Sequence, residues 1–166
     1  VSVRRDLHAN PELAGEEHRT TELLSSRLKE MGLDLRSVPG TGVVADLHVG
    51  APDHSWIALR ADIDCVPISD LKEVAWRSTN DGCCHACGHD AHTTMALFAA
   101  GSMAEHRKLI EASEPQRNVR FIFQPAEETA GWVGQILGED LSSVLILPTK
   151  WGVTAQVQSQ SHGAFR

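Results

Sequence analysis

A chain of 166 residues with 42% hydrophobic and 22% charged residues, 13 Gly and 7 Pro is long enough for one buried core, and its composition excludes collagen-like, coiled-coil and disordered classes. Its 15 Lys plus Arg against 22 Asp plus Glu give a net charge of −7, which argues against a nucleic-acid or anionic-membrane surface. No apolar run approaches the length of a membrane span, so a soluble chain with no membrane partner is expected.

The N-terminal Val1-Ser2-Val3-Arg4-Arg5-Asp6 holds neither an apolar signal core nor an initiator Met, which suggests a chain that starts inside a longer reading frame or has been trimmed. Glu16 to Met31 puts Leu23, Leu24, Leu28 and Met31 at helical spacing, with Gly32 where a terminating glycine belongs. Val43 to Val49 and Ser55 to Ala61 read as strands on either side of Gly50-Ala51-Pro52-Asp53, and that turn predicts a hairpin. Asp70 to Gly82 shows no period and predicts a loop. Ala91 to His106 carries Met95, Ala96, Phe98, Ala99 and Met103 at helical spacing, with Asp90 as its N-cap. Asn118 to Gln124 predicts a strand closed by Pro125. Gly131 to Leu137 predicts a short helix, Val144 to Leu147 a strand, and Trp151 to Arg166 only weak β structure. Helices alternating with strands point to an α/β sandwich.

The chemistry concentrates in Cys83-Cys84-His85-Ala86-Cys87-Gly88-His89-Asp90-Ala91-His92. Thiolate and imidazole are the donors that a borderline-soft cation such as Zn²⁺ prefers, and a Cys just outside a helix N-terminus is favoured as thiolate. Cysteines this closely spaced make a poor disulfide framework, so a reduced compartment, and with it a cytoplasmic location, is expected. Three other uses of the segment compete. A structural zinc site on Cys84, Cys87, His89 and His92 lacks the usual long gap between ligand pairs. Haem attachment would need His rather than Gly88 after Cys87. A Cys84–Cys87 redox pair leaves the histidines without a role. A second signal is Gln124-Pro125-Ala126-Glu127-Glu128-Thr129 at the end of an apolar strand, where ligand-binding loops of open α/β sheets collect. Alone it reads better as an acidic loop that starts a helix, because Glu is favoured in a first turn. Beside a Cys/His cluster, one of its carboxylates could bind a cation while the other moves a proton. Asp62 and Asp64, at the end of another apolar strand, could orient the ligands, and a solvated strand-end turn accounts for them equally well.

Five blocks then occur in a telling order: Arg4-Arg5-Asp6-Leu7-His8-Ala9-Asn10-Pro11-Glu12-Leu13, Thr41-Gly42-Val43-Val44-Ala45, Leu59-Arg60-Ala61-Asp62-Ile63-Asp64-Cys65-Val66-Pro67-Ile68, His85 to His92, and Phe123-Gln124-Pro125-Ala126-Glu127-Glu128. In this order they resemble the M20-family metallopeptidase amidohydrolases, in the branch of hippurate hydrolase, N-acyl-amino-acid amidohydrolases and plant auxin-conjugate hydrolases. The resemblance implies a mixed sheet flanked by helices, the N-terminal part of a zinc-peptidase-like catalytic domain over residues 1–138, followed by a divergent tail over 139–166. It implies a divalent metal, Mn or Zn, with two ions in the complete family site. Cys87, His89 and Glu128 are then metal ligands and Glu127 the general base and acid, with His85, Asp90, His92, Asp62 and Asp64 in support. The implied partner is a small N-acyl amino acid or related amide conjugate, with a homodimer expected only where a lid domain is present.

Some of the chain departs from that pattern. Val144-Leu145-Ile146-Leu147-Pro148-Thr149 carries no His where a Gly-Leu-His-Val-type segment is expected, and His162 lies too soon to match the later lid histidine. Cys84 stands where an apolar residue is usual, and Ala130-Gly131-Trp132 replaces a glycine-rich helix start. With the lid absent, a truncated amidohydrolase of impaired activity is expected, the alternative being an inactive metal-binding or interaction module of the same fold.

Overall fold

The computed structural model describes residues 1–36, 38–51, 56–113 and 116–129, and the backbone of 144–148. In chain order the elements are α1 (Ser2–Ala9), α2 (His18–Glu30), β1 (Asp34–Arg36), β2 (Val43–Leu47), β3 (Trp56–Asp62), α3 (His89–Glu105), α4 (Arg107–Glu111), β4 (Asn118–Gln124), a 3-10 turn at Glu127–Thr129, and β5 (Val144–Pro148). The sheet runs β1-β2-β4-β3-β5. β1 with β2 and β2 with β4 pair antiparallel, while β3 pairs parallel with both β4 and β5. This is the mixed sheet with helices that the family resemblance implies and with which the alternating pattern agrees, and it takes in strands from both sides of residue 138.

The expected hairpin does not form. β4 lies between β2 and β3, pairing Val43 with Phe123 on one edge and Asp62 with Gln124 on the other. The reason is burial: all seven residues of β4 are buried, Val119, Phe121 and Phe123 on one face and Asn118, Arg120, Ile122 and Gln124 on the other, and a strand covered on both faces gains most from two paired edges. A turn sequence constrains only its own residues, and long-range pairing overrides it here.

Strand alternation divides the core in two. Val43, Ala45, Leu47, Val119, Phe121, Phe123 and Ala61 pack with Leu24 and Leu28 of α2 and Ala96, Leu97 and Ala100 of α3. Val44, Ala58 and Ile122 form the second cluster, against Val38 and Trp56. Between them on that second side Arg120 grips Asp46 with two bonds of 2.7 and 2.8 Å and lies 4.7 Å over the Trp56 ring. A charged fork stacked on an aromatic ring satisfies a buried pair that would otherwise be costly.

Helix starts also differ from the sequence expectation. α2 begins at His18, two residues late, because the Glu12 carboxylate accepts the N–H groups of Arg19 (2.8 Å) and Thr20 (2.7 Å). α3 begins at His89, with Gly88 rather than Asp90 as its cap. Gly88 sits at φ 81°, a conformation that side chains disfavour, and Asp90 falls in the first turn. The short α1 was not signalled by periodicity. The Gly131 to Leu137 helix, the Trp151 to Arg166 segment and His162 lie outside the described residues. Among the described residues no helix is long and apolar enough to cross a membrane.

Candidate metal centre

The C-terminal ends of the parallel strands β3 and β4 converge on one edge, the place where open α/β sheets bind ligands. Ile63 N–H donates to the Gln124 carbonyl at 2.9 Å, extending the pairing by a residue. Beyond it the β3 side delivers Asp64 and the β4 side delivers Glu127 and Glu128. The first turn of α3 brings His89 to the same point.

His89 is 1% exposed. Its Nδ1 donates to the Asp64 carbonyl at 2.9 Å and lies 3.1 Å from Asp64 Oδ1. That anchors one ring nitrogen and leaves Nε2 facing Glu127 and Glu128. Nε2 is buried with no hydrogen-bond partner among the described residues, yet Glu128 Oε1 stands 3.6 Å away and Glu127 Oε2 3.8 Å away. These separations are too long for hydrogen bonds. They suit a shared cation, because two N/O donors about 2.1 Å from a tetrahedral ion stand about 3.4 Å apart. Asp64 joins the two halves: it holds the His89 ring through Oδ1, while its Oδ2 accepts Glu128 N–H at 2.9 Å. Burial pushes the Asp64 carboxyl up, but the hydrogen bonds from His89 and Glu128 and the His89 charge outweigh it, so the group stays below the usual carboxylate range. For His89 burial opposes charge, and the Asp64 hydrogen bond with the Asp62 and Asp64 charges overcomes it, raising the imidazole above its ordinary value.

The turn carrying the two glutamates is held from behind. Ala126, 4% exposed, has φ 52°, the one positive φ at a non-glycine position among the described residues, and a left-handed backbone costs an alanine about 1 kcal/mol or more. Its N–H donates to Glu17 Oε1 at 2.7 Å, and Glu17 Oε2 accepts the Thr41 hydroxyl at 2.6 Å. Glu17 is fully buried. Next to Thr41, Gly42 donates to Thr21 Oγ1 at 2.8 Å, and a Cβ at Gly42 would stand 2.6 Å from Pro125 Cδ. The Thr41-Gly42 block thus owes its residue types to a close approach to Pro125-Ala126. The sequence does not mark Glu17 as a site residue, because one acidic residue at a helix start signals only a dipole contact.

The remaining candidates distribute as follows. Asp62, His89 and His92 offer donor atoms within 4.8 Å of one another, all buried. There His92 Nε2 accepts Asp62 N–H at 3.2 Å, and Arg60 Nη2 reaches the Asp62 carboxylate at 2.5 Å. Thr93 Oγ1 donates to the Asp62 carbonyl at 2.7 Å, tying α3 to the strand end. Asp90 accepts His8 Nδ1 at 2.7 Å and Arg4 Nε at 3.2 Å, which anchors α1. Among the described residues His85, 5% exposed, has no hydrogen bond to either ring nitrogen; burial drives it down to about 4, against the pull of Asp90, so it is neutral at pH 7. Cys87 is not brought into the His89–Glu127–Glu128 group. It is exposed on the turn closed by Gly88 N–H to the His85 carbonyl at 3.4 Å. A further gathering that no motif announced lies nearby: His8, Asp70 and Cys84, with donor atoms within 4.8 Å of one another. Lys72 Nζ already occupies it, 2.8 Å from Asp70 Oδ1 and 3.7 Å from Cys84 Sγ.

A family model described as "Peptidase family M20/M25/M40" matches residues 58–151, more than half of the chain. The chain is 44% identical over 129 residues to "IAA-amino acid hydrolase ILR1-like 5" of Arabidopsis thaliana, covering 77% of this chain and 28% of that protein. It is 40% identical over 139 residues to "N-acetylcysteine deacetylase" of Bacillus subtilis, covering 82% of this chain and 35% of that one. Among solved structures, a Bacillus subtilis protein described as a dinuclear metal binding peptidase from the M20 family superposes with a TM-score of 0.79 at 38% identity, over 89% of this chain and 40% of that chain. The chain spans between 15% and 35% of the length of the curated relatives it matches.

Proposed function

Because the chain belongs to peptidase family M20/M25/M40, we propose that it carries part of a divalent-metal centre for hydrolysing the amide of N-acyl amino acids or related conjugates. One observation carries the metal: a buried imidazole nitrogen with its other nitrogen anchored, no hydrogen bond of its own among the described residues, and two carboxylates 3.6 and 3.8 Å away. Native structures rarely leave such an atom without purpose. In this reading His89 and Glu128 are ligands on the strength of that geometry, and Cys87 is the third on the strength of the family motif. With a nitrogen, an oxygen and a sulfur donor, Zn²⁺ is favoured over Mn²⁺.

When bound, the ion supplies Lewis-acid polarisation of the amide carbonyl and acidifies water. Glu127, half-exposed at the mouth of the site, takes a proton from water and returns it to the departing amide nitrogen. Asp64 keeps the His89 ring oriented and holds the Glu128 backbone, so both donors keep their positions while Glu127 moves the proton. Glu127 and Glu128 are neighbours with separate tasks.

The test is hydrolysis of N-acetyl and N-benzoyl amino acids by the purified chain with Zn²⁺ or Mn²⁺, alongside elemental analysis. Glu127→Gln is expected to keep the metal and lose turnover by 10²-fold or more. Turnover undiminished by Glu127→Gln would remove its assigned role. Metal bound with no turnover in the parent chain would favour the inactive metal-binding module.

A further inference from the structure

Given that metal-site reading, we infer that Glu17 is a positioning residue of the centre: its buried carboxylate holds Ala126 in the left-handed conformation from which Glu127 and Glu128 face His89. The β2/β4 ladder ends at Phe123, and Pro125 has no N–H. Ala126 N–H is therefore the first donor beyond the strand, and it is buried where a missing acceptor would be costly. Glu17 provides that acceptor from a position 109 residues away in the chain. Its second oxygen is pinned by Thr41, itself 2% exposed, so the carboxylate cannot swing away. Helix α2 and the start of β2 together clamp the turn that ends β4.

The fold alone does not require this arrangement. A turn after β4 could relax to negative φ and remain a turn, but the two following side chains would then leave His89 Nε2. A buried carboxylate spent on one strained alanine is explained by what the alanine precedes. Deleting a group that orients metal ligands lowers affinity about 10- to 100-fold in comparable sites.

Calorimetric titration of the 166-residue chain with Zn²⁺ alone, paired with amide hydrogen exchange without metal, tests this. Glu17→Ala is expected to weaken Zn²⁺ at least about tenfold and to speed exchange at Ala126 and Glu128. Glu17→Gln should restore both to within about threefold, because its amide oxygen accepts Ala126 N–H and its NH₂ donates to Thr41 Oγ1. Should Glu17→Ala fail to fold, Thr41→Val loosens the same carboxylate and should show the smaller version of both effects. Leu28→Ala, a fully buried change in the helix that Glu17 precedes, should lower the melting temperature and leave Zn²⁺ affinity unchanged. Wild-type affinity and exchange in Glu17→Ala, or a loss of affinity in Leu28→Ala that tracks its destabilisation, would overturn the role of Glu17. If the parent chain binds no Zn²⁺, the metal reading fails, and the exchange arm still decides whether Glu17 holds the turn.

Discussion

Two gatherings of the same residue types lie in this fold, and they differ in what is left over. Around His8, Asp70 and Cys84, each His8 nitrogen meets a carboxylate, at 2.7 and 3.3 Å, and an ammonium sits beside the acid and the thiol. Around His89, Glu127 and Glu128, one ring nitrogen is anchored at 2.9 Å and the other, with no hydrogen bond among the described residues, faces two carboxylates 3.6 and 3.8 Å away. Proximity of donors is common to both. Unspent bonding capacity is not, and it separates a candidate site from a structural network.

The contrast is broken most severely at His89. His89→Ala should lower Zn²⁺ affinity by about 100-fold or more by calorimetry, while Lys72→Met leaves it within about twofold. Comparable losses in both would mean that the two gatherings do not differ as described. Next comes the anchor: Asp64→Asn can accept from His89 or from Glu128 N–H but presents a donor to the other, and should cost about tenfold in affinity with the circular dichroism spectrum preserved. An unaffected titration would remove Asp64 from the support of the site.

In the paired gathering the expected effect is on stability. Burial pushes the Asp70 carboxyl up, yet the hydrogen bond from Lys72 and those from the backbone of Ser78 and Lys72 hold it well below its usual range. A depressed carboxyl contributes stability that is full above its unfolded value, about 3.9, and is lost as pH falls through the folded one. Asp70→Asn should therefore destabilise by about 1–3 kcal/mol at pH 7 in denaturant titrations, with the difference shrinking below about pH 4. A difference that grew on acidification would contradict that assignment. The smallest effect is one of rate. Cys65, 3% exposed, has its thiol pushed up to about 12, chiefly by burial and then by Cys83, and should stay unmodified by iodoacetamide at pH 8 while exposed Cys87 reacts. Added Zn²⁺ should slow the Cys87 reaction; an unchanged rate would argue against its ligand role.

Much of this was legible in the residues, for physical reasons that also mark the limit. The long helix α3 announces itself because its buried positions recur every three or four residues, and the strands Val43–Leu47 and Asn118–Gln124 because short, β-rich, fully buried runs are bounded by Gly or Pro. The pairing partners of β2 and β3 do not, since a turn signal is local and β4 arrives 56 residues after β3 ends. His89, Glu127, Glu128 and Asp64 stand in motifs whose spacing reflects one turn of backbone. Glu17 does not, because its meaning lies in an amide far along the chain that no window of sequence contains. Short α1 escaped for another reason: only Leu7 and His8 are buried in it, too few to set a period.

The central place of β4 also has a consequence in time. During synthesis β2 meets only the three-residue β1, and β3 has no partner until residues 118–124 emerge. At roughly 5–20 residues per second, the 56 or so residues after β3 leave its edges open for roughly 3–12 s. Ribosome-held chains ending before residue 118 should be cut by protease within 43–62 and become resistant once residue 124 has cleared the exit tunnel; early resistance would show that another partner shields those edges. Until then the strands that will carry the site are open to pairing with neighbouring chains, which makes the order of synthesis part of what this topology demands.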